Sequence, residues 1–274
     1  MKDKTQNSEQ KYFDSVKPYG KHKNHNILDH FAVAILKAFT KAPEIIYSEK
    51  IKDEPVVFLS NHATRYGPTA MHVYFPGKHR IWVLSSLFYV KTFSNHMMVY
   101  WFPNVRGLIR ILCRIFTLIL APIGPFFYKS MEAIPVYRMS LKLKDTYDKT
   151  VETLIEGKNV VIFPESRESS VEYKFVNNLQ NGFFRFASTY YLKTGKRLLA
   201  YPVYCCKELN IISVGKPYEY DPDINMKEQS LTVMKYIQDS IEELAKSLPE
   251  HEAYPYNKEI KDIEYINKKY NGIF

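Results

Sequence analysis

Two short apolar runs constrain the fold more than anything else in this chain. Val56-Val57-Phe58-Leu59 and Val160-Val161-Ile162-Phe163 are too short for helices and too continuously apolar for strands with one wet face. Each reads as a strand buried on both sides, and each runs into a polar turn. Further β-like stretches are Glu44–Ser48, Arg80–Ser85, Ala133–Val136, Leu198–Cys205 and Ile211–Gly215. Helical spacing fills the intervals: Ile27 to about Thr40, an apolar region over Thr92–Ala121, Leu141–Glu156 stopped by Gly157, and Gly182–Lys193 stopped by Gly195. Gln229–Leu248 carries Leu231, Met234, Ile237, Ile241, Leu244 and Leu248 along one side. Strands alternating with helices define an α/β protein. The expected organisation is a polar arm at residues 1–24, one domain at 25–249 and a polar tail at 250–274.

The 38 Lys and Arg residues outnumber 29 Asp and Glu, a net charge of +9, which calls for an anionic partner. Its location narrows the choice. Residues 55–131 contain no acid, yet hold Arg65, Lys78, Arg80, Lys91, Arg106, Arg110, Arg114 and Lys129 among many Phe, Tyr, Leu and Ile. No Arg-Gly repeat, zinc-finger spacing or basic block accompanies them. A phospholipid surface therefore fits, and a nucleic-acid partner is not expected.

Arg106, Arg110 and Arg114 recur every four residues, so they form one stripe on a helix whose remaining circumference is apolar. Two arrangements share this pattern. One is an interfacial helix with its guanidinium groups at lipid phosphates; the other is a core helix with one solvated edge. The stretch Ile27–Phe39 is also amphipathic, and its expected role is core packing, with membrane docking the alternative. No window offers the roughly 18 apolar residues of a spanning helix, and the polar N-terminal segment lacks a signal-peptide core. The expectation is a cytoplasmic protein, peripheral on the inner face of the cell membrane. Cys113, Cys205 and Cys206 include no Cys-x-x-Cys pair, which argues against disulfides and structural zinc. No metal is implied.

Chemistry concentrates in four blocks. Ser60-Asn61-His62-Ala63-Thr64-Arg65-Tyr66-Gly67-Pro68 follows the first buried strand and opens a helix, with Gly67 expected as N-cap and Pro68 as the first helical residue. Val160 to Phe163 leads into Pro164-Glu165-Ser166-Arg167-Glu168-Ser169. The others are Ala133-Ile134-Pro135-Val136-Tyr137-Arg138 and Leu199-Ala200-Tyr201-Pro202-Val203-Tyr204.

In this order and spacing the four blocks resemble the glycerolipid acyltransferase family, whose best-known members acylate lysophosphatidic acid. The resemblance covers roughly Val56–Val203. It implies a single-domain fold with a mixed central sheet flanked by helices. It also implies an O-acyltransferase that moves a fatty acyl group from acyl-CoA or acyl carrier protein to a hydroxyl of a lysophospholipid or related acceptor, without a cofactor. By the same resemblance His62 is the general base. Asn61, Tyr66 and Gly67 form the supporting and oxyanion region, and Arg138, Glu165, Ser166 and Arg167 bind the acceptor. Two positions depart from the family pattern. The Asp expected five residues after the His is Gly67, which leaves Glu165, Glu168 or the Tyr66 hydroxyl as candidates to support the imidazole. Aligned without a gap, Glu168 falls where the family has its phosphate-binding Arg. The alternative to an active enzyme is therefore a catalytically degenerate acyltransferase fold that binds lipid.

Overall fold

The computed structural model describes residues 27–100, 102, 105–137, 142–166, 170–180 and 182–254. Helix α1 (Ile27–Phe39) precedes β1 (Glu44–Tyr47) and β2 (Val57–Ser60). Next come α2 (Tyr66–Tyr74), β3 (His79–Leu84), a 3-10 turn at Ser85–Phe88 and three helices: α3 (Val90–Tyr100), α4 (Gly107–Leu120) and α5 (Ile123–Ser130). Then follow β4 (Ile134–Val136), α6 (Leu143–Ile155), β5 (Asn159–Ile162), α7 (Phe186–Thr194), β6 (Leu199–Cys206), β7 (Ile211–Val214), β8 (Tyr218–Glu219) and α8 (Met226–Lys246).

The strands form one sheet in the order β1-β7-β6-β2-β5-β3-β4, with β8 paired to β6. The β6–β7 and β6–β8 pairs are antiparallel and every other pair is parallel. The expected mixed sheet flanked by helices is thus observed. Strand β2 lies at its centre, and its two faces explain its unbroken apolar run. Val57 and Leu59 join Val160 and Ile162 in a core closed by α6, α7 and α8, including Leu154, Phe186 and Ile237. Val56 and Phe58 join Val161, Met71, Phe75 and Tyr201 on the opposite face. Both faces are dry, so alternation with polar residues would bury unpaired groups.

Several expected boundaries shift. The helix placed at Gly182–Lys193 begins only at Phe186, because residues 182–185 form turns; Gly195 ends it in the left-handed region at φ 69°. The last long helix begins earlier than expected, at Met226. Asn225 caps it, its side chain accepting from the Glu228 N–H, which moves the start ahead of the expected Gln229.

The single helical region expected over Thr92–Ala121 is interrupted: α3 buries Phe93, Ser94, Met97 and Met98, whereas α4 faces outward. On α4, Leu108, Ile109, Ile111, Leu112, Ile115, Phe116, Leu118 and Ile119 are all exposed, and only Thr117 is buried. Arg110 and Arg114 lie half-buried on the protein-facing side, where Thr117 bonds Ser94 of α3 at 3.0 Å. The core-helix arrangement with a solvated arginine edge is therefore overturned: the apolar arc faces out and the arginines flank the protein. Core packing of the apolar stripe on α1 is corrected too, since Phe31 (66%), Ile35 and Phe39 (84%) are exposed. The inner face of α1 is instead held by buried Asp29, 3.1 Å from His72 on α2. No single helix among the described residues is long and apolar enough to cross a membrane; α4 and α5 would be so only as a pair bent by 44°.

The polar arm at 1–24 and residues 255–274 lie outside the described residues. The stretch following α8 does not hang loose, because His251 is buried and accepts from the Tyr204 hydroxyl at 2.8 Å.

Candidate active site

All four motif blocks end at one edge of the sheet. Strands β6, β2, β5, β3 and β4 run parallel side by side, so their carboxyl ends lie together. Open α/β sheets bind ligands at that edge. Leu59 pairs with Ile162 across β2 and β5. Three residues further along both strands, the same register sets His62 level with Glu165.

The turn after β2 is built around main-chain groups. Asn61 is buried, and its amide brackets the Cys205 peptide unit: Oδ1 accepts the Cys205 N–H at 2.7 Å and Nδ2 donates to the Cys205 carbonyl at 3.2 Å. Asn61 thus ties the turn to β6, and its amide is committed there rather than to an oxyanion. Ala63 and Thr64 then take left-handed conformations at φ 42° and 59°. Such backbone costs about 1–2 kcal/mol per non-glycine residue. What the conformation gains is the direction of two carbonyls. Ala63 O accepts the Tyr66 N–H at 3.2 Å, and Thr64 O turns back to bond Nδ1 of His62.

That last contact sets the chemistry of the imidazole. A carbonyl only accepts, so Nδ1 carries the proton and Nε2 becomes the lone-pair nitrogen, the one suited to act as a base. His62 is half-buried, its ring 5.3 Å from that of Phe163. The support expected from a side chain therefore comes from the backbone of Thr64, a residue sequence reasoning missed because a carbonyl leaves no signature in residue identity.

Gly67 is the second residue of α2, whose N-cap is Arg65, correcting the expected cap at Gly67. Pro68 is tolerated two positions later than expected, as the third helical residue, because the first four helical N–H groups need no intrahelical partner. A Cβ on Gly67 would lie 2.6 Å from the His62 carbonyl oxygen and 3.0 Å from that of Asn61. The position where the family places an aspartate has no room here for any side chain. The Tyr66 hydroxyl donates to Oδ1 of Asn210 at 3.1 Å, on the β6–β7 turn. It braces that turn, and burial holds its pKa well above the ordinary phenol range.

Glu165 departs most from expectation. It is 2% exposed, and both carboxylate oxygens meet main-chain donors: the His62 N–H on Oε2 and the Asn177 N–H, at 2.8 Å, on Oε1. It clamps the His62 turn to the loop of residues 170–180, which corrects the expectation that it contacts the acceptor. Burial pushes its pKa up to about 7, against the opposing pull of the two N–H bonds. Ser166 is half-buried, and its N–H donates to the Asn178 carbonyl at 2.7 Å. Arg138, Arg167 and Glu168 lie outside the described residues. Arg106, Arg110 and Arg114 sit on a separate helical layer, and among the described residues no carboxylate pairs with them.

A parallel α/β edge presenting a tautomer-fixed histidine has the geometry a candidate acid–base site needs. The sequence profile of the Acyltransferase family matches residues 42–205, more than half of the chain and all four blocks. The chain belongs to the acyltransferase family. Among solved structures it is similar to the 1-acyl-sn-glycerophosphate (LPA) acyltransferase PlsC from Thermotoga maritima, at 10% identity and a TM-score of 0.47, over 81% of this chain and 83% of that one. No curated protein matches the sequence.

Proposed function

We propose that this acyltransferase moves a fatty acyl group from an acyl thioester, acyl-CoA or acyl carrier protein, to a hydroxyl of a lysophospholipid-type acceptor. The observation that carries the reading is the Thr64 carbonyl on Nδ1 of His62, which leaves Nε2 as the base. His62 takes the hydroxyl proton as the acceptor oxygen attacks the thioester carbonyl. The tetrahedral intermediate collapses, the C–S bond breaks, and the proton passes to the departing thiolate. Tyr66 donates to Ala63 and Pro68 has no N–H, so the oxyanion role falls to the Gly67 amide at the helix start. The ordered motif blocks support a glycerolipid acceptor.

The reaction takes place at a membrane surface in this reading. The exposed apolar arc of α4, continued by Ile123 and Phe126 on α5, supports it, as do the arginines beside that arc, which no carboxylate among the described residues meets. The inner face of the cell membrane is the location that fits such a donor.

Incubation with acyl-CoA or acyl carrier protein and a panel of lysolipids, read by mass spectrometry, tests the transfer. The expected result is an acylated product lost in His62→Ala. Product formation surviving that substitution overturns the mechanism. Gly67 favours a second reading, a lipid-binding acyltransferase fold without turnover. It predicts no product from any donor while vesicle binding persists.

A further inference from the structure

Glu165 grips the loop of residues 170–180 as well as His62, and that loop has its own anchor. Three side chains on the face of α8 hold it. Glu242, itself buried, accepts the Phe175 N–H at 3.0 Å and the Lys174 N–H at 3.2 Å, both on Oε2. Gln238 donates from Nε2 to the Asn177 carbonyl at 3.3 Å, and Asp239 accepts from the Tyr173 hydroxyl at 2.6 Å. Phe175, Val176 and Asn177 are buried, so this stretch has no freedom to find other partners.

We infer that Glu242 is a positioning residue for His62, acting through the main chain of residues 174–177 and the carboxylate of Glu165. The path is continuous. Glu242 fixes the Phe175 amide, the next turn of chain sets the Asn177 amide, Asn177 aims Glu165, and Glu165 holds the His62 amide. The bonds to the Phe175 and Asn177 amides are buried and that to the His62 amide is part-buried, all to main-chain donors, and a buried donor left unpaired carries a penalty. Releasing one end therefore moves the next partner rather than leaving a gap. The His62 turn, with two residues in the left-handed region, relaxes readily once its clamp loosens.

This inference rests on the reading of His62 as the base, but its test does not. Both bonds to Glu242 use one oxygen, so Glu242→Gln keeps the acceptor and Glu242→Ala removes it. The first readout is the ¹⁵N spectrum of the His62 imidazole, assigned by comparison with His62→Ala, at a pH where the ring is neutral. Glu242→Ala is expected to shift it from the Nδ1–H pattern toward a tautomer mixture, and Glu242→Gln to leave it unchanged. The second readout is acyl transfer: a kcat loss on the order of 10–100-fold in Glu242→Ala with KM little changed, restored in Glu242→Gln. If Glu242→Ala fails to fold, Gln238→Met removes the neighbouring donor and is read in the same way, with a smaller shift expected. A folded variant that loses thermal stability but keeps the wild-type tautomer overturns the inference. A wild type without any transfer refutes the proposed function, while the tautomer readout still decides this one.

Discussion

Gly67 invites a repair that the structure predicts will fail. Restoring the family residue with Gly67→Asp would supply a carboxylate five residues after His62. The Cβ, however, would sit 2.6 Å from the His62 carbonyl oxygen, 3.0 Å from the Asn61 oxygen and 3.1 Å from the His62 carbonyl carbon. All three are main-chain atoms, so no rotamer relieves the contact. Ordinary separation of about 3.5 Å requires the helix start and the His62 turn to part by nearly 1 Å. Overpacking of that kind costs about 1–3 kcal/mol, which lowers Tm by roughly 2–12 °C in a chain of this size. A displacement of about 1 Å at the base lowers the transfer rate by on the order of 100-fold. Thermal melting and the lysolipid transfer assay read the two effects. Gly67→Ala provides the control, with the same Cβ and no charge, and should melt as low as Gly67→Asp. A Gly67→Asp variant that melts with the wild type and transfers acyl groups faster would refute the argument.

Four further outcomes follow from the same geometry. Asn61→Ala strands two buried main-chain groups of Cys205 and should lower stability by about 2–5 kcal/mol, seen as a lower denaturant midpoint at unchanged slope. Tyr66→Phe loses one hydrogen bond to Asn210, so it should cost about 1 kcal/mol and leave the transfer rate nearly intact; a hundredfold loss would place the hydroxyl in the mechanism. The raised pKa of Glu165, about 7 against an ordinary 4.5, has a definite sign. The folded protein holds that proton more tightly, so the associated stability is fully present below pH 4.5 and is lost as pH rises through about 7, an effect of order 3 kcal/mol at most. Melting between pH 5 and 8 should fall more steeply in wild type than in Glu165→Gln, and parallel curves would refute the assignment. Ile111→Ser with Ile115→Ser removes two half-exposed apolar side chains from α4, a loss of about 2 kcal/mol. It should weaken sedimentation with anionic vesicles roughly 30-fold, and unchanged binding would exclude the α4 face.

The strands were legible because burial on both faces leaves a pattern that survives without tertiary knowledge. The strands at Val57–Ser60 and Asn159–Ile162 fall within two residues of the expected limits, Pro55–Ser60 and Asn159–Phe163. Gly157 and Gly195 marked helix ends for the same local reason, their left-handed φ. Glu165 was legible as a candidate but not in its role, because the role follows from register: Leu59 opposite Ile162 is a property of the sheet, not of either strand. Thr64 was not legible at all, since its contribution is a carbonyl. The exposure of Phe31, Ile35 and Phe39 was misjudged because an apolar stripe records what a helix buries, not whether protein or lipid does the covering.

The acid-free stretch of residues 55–131 joins these observations. A chain segment without carboxylates still contains groups that need them, and the fold supplies them from elsewhere. Arg80 is met by Glu132 at 2.6 Å and Glu156 at 3.1 Å, His72 by Asp29 from α1, and the His62 amide by Glu165 from β5. These are the positions inside or beneath the sheet, where an unpaired charge or donor is costly. Arg106, Arg110 and Arg114 receive no such partner among the described residues, although the fold brings acids to three other sites in the same stretch. Their helix presents its apolar arc outward and sets Arg110 and Arg114 at the boundary of that arc. Arg110 donates to the Val105 carbonyl at 3.4 Å, and the remaining donors of these half-buried guanidinium groups can be met by water or by an external anion. Phosphates at the level where acyl chains begin have that position, because they place negative charge beside an apolar medium. The absence of acids near α4 is thus not the same fact as their absence near His62. At His62 the fold compensates for it; at α4, among the described residues, it does not, and the proposed membrane docking would supply the anions there.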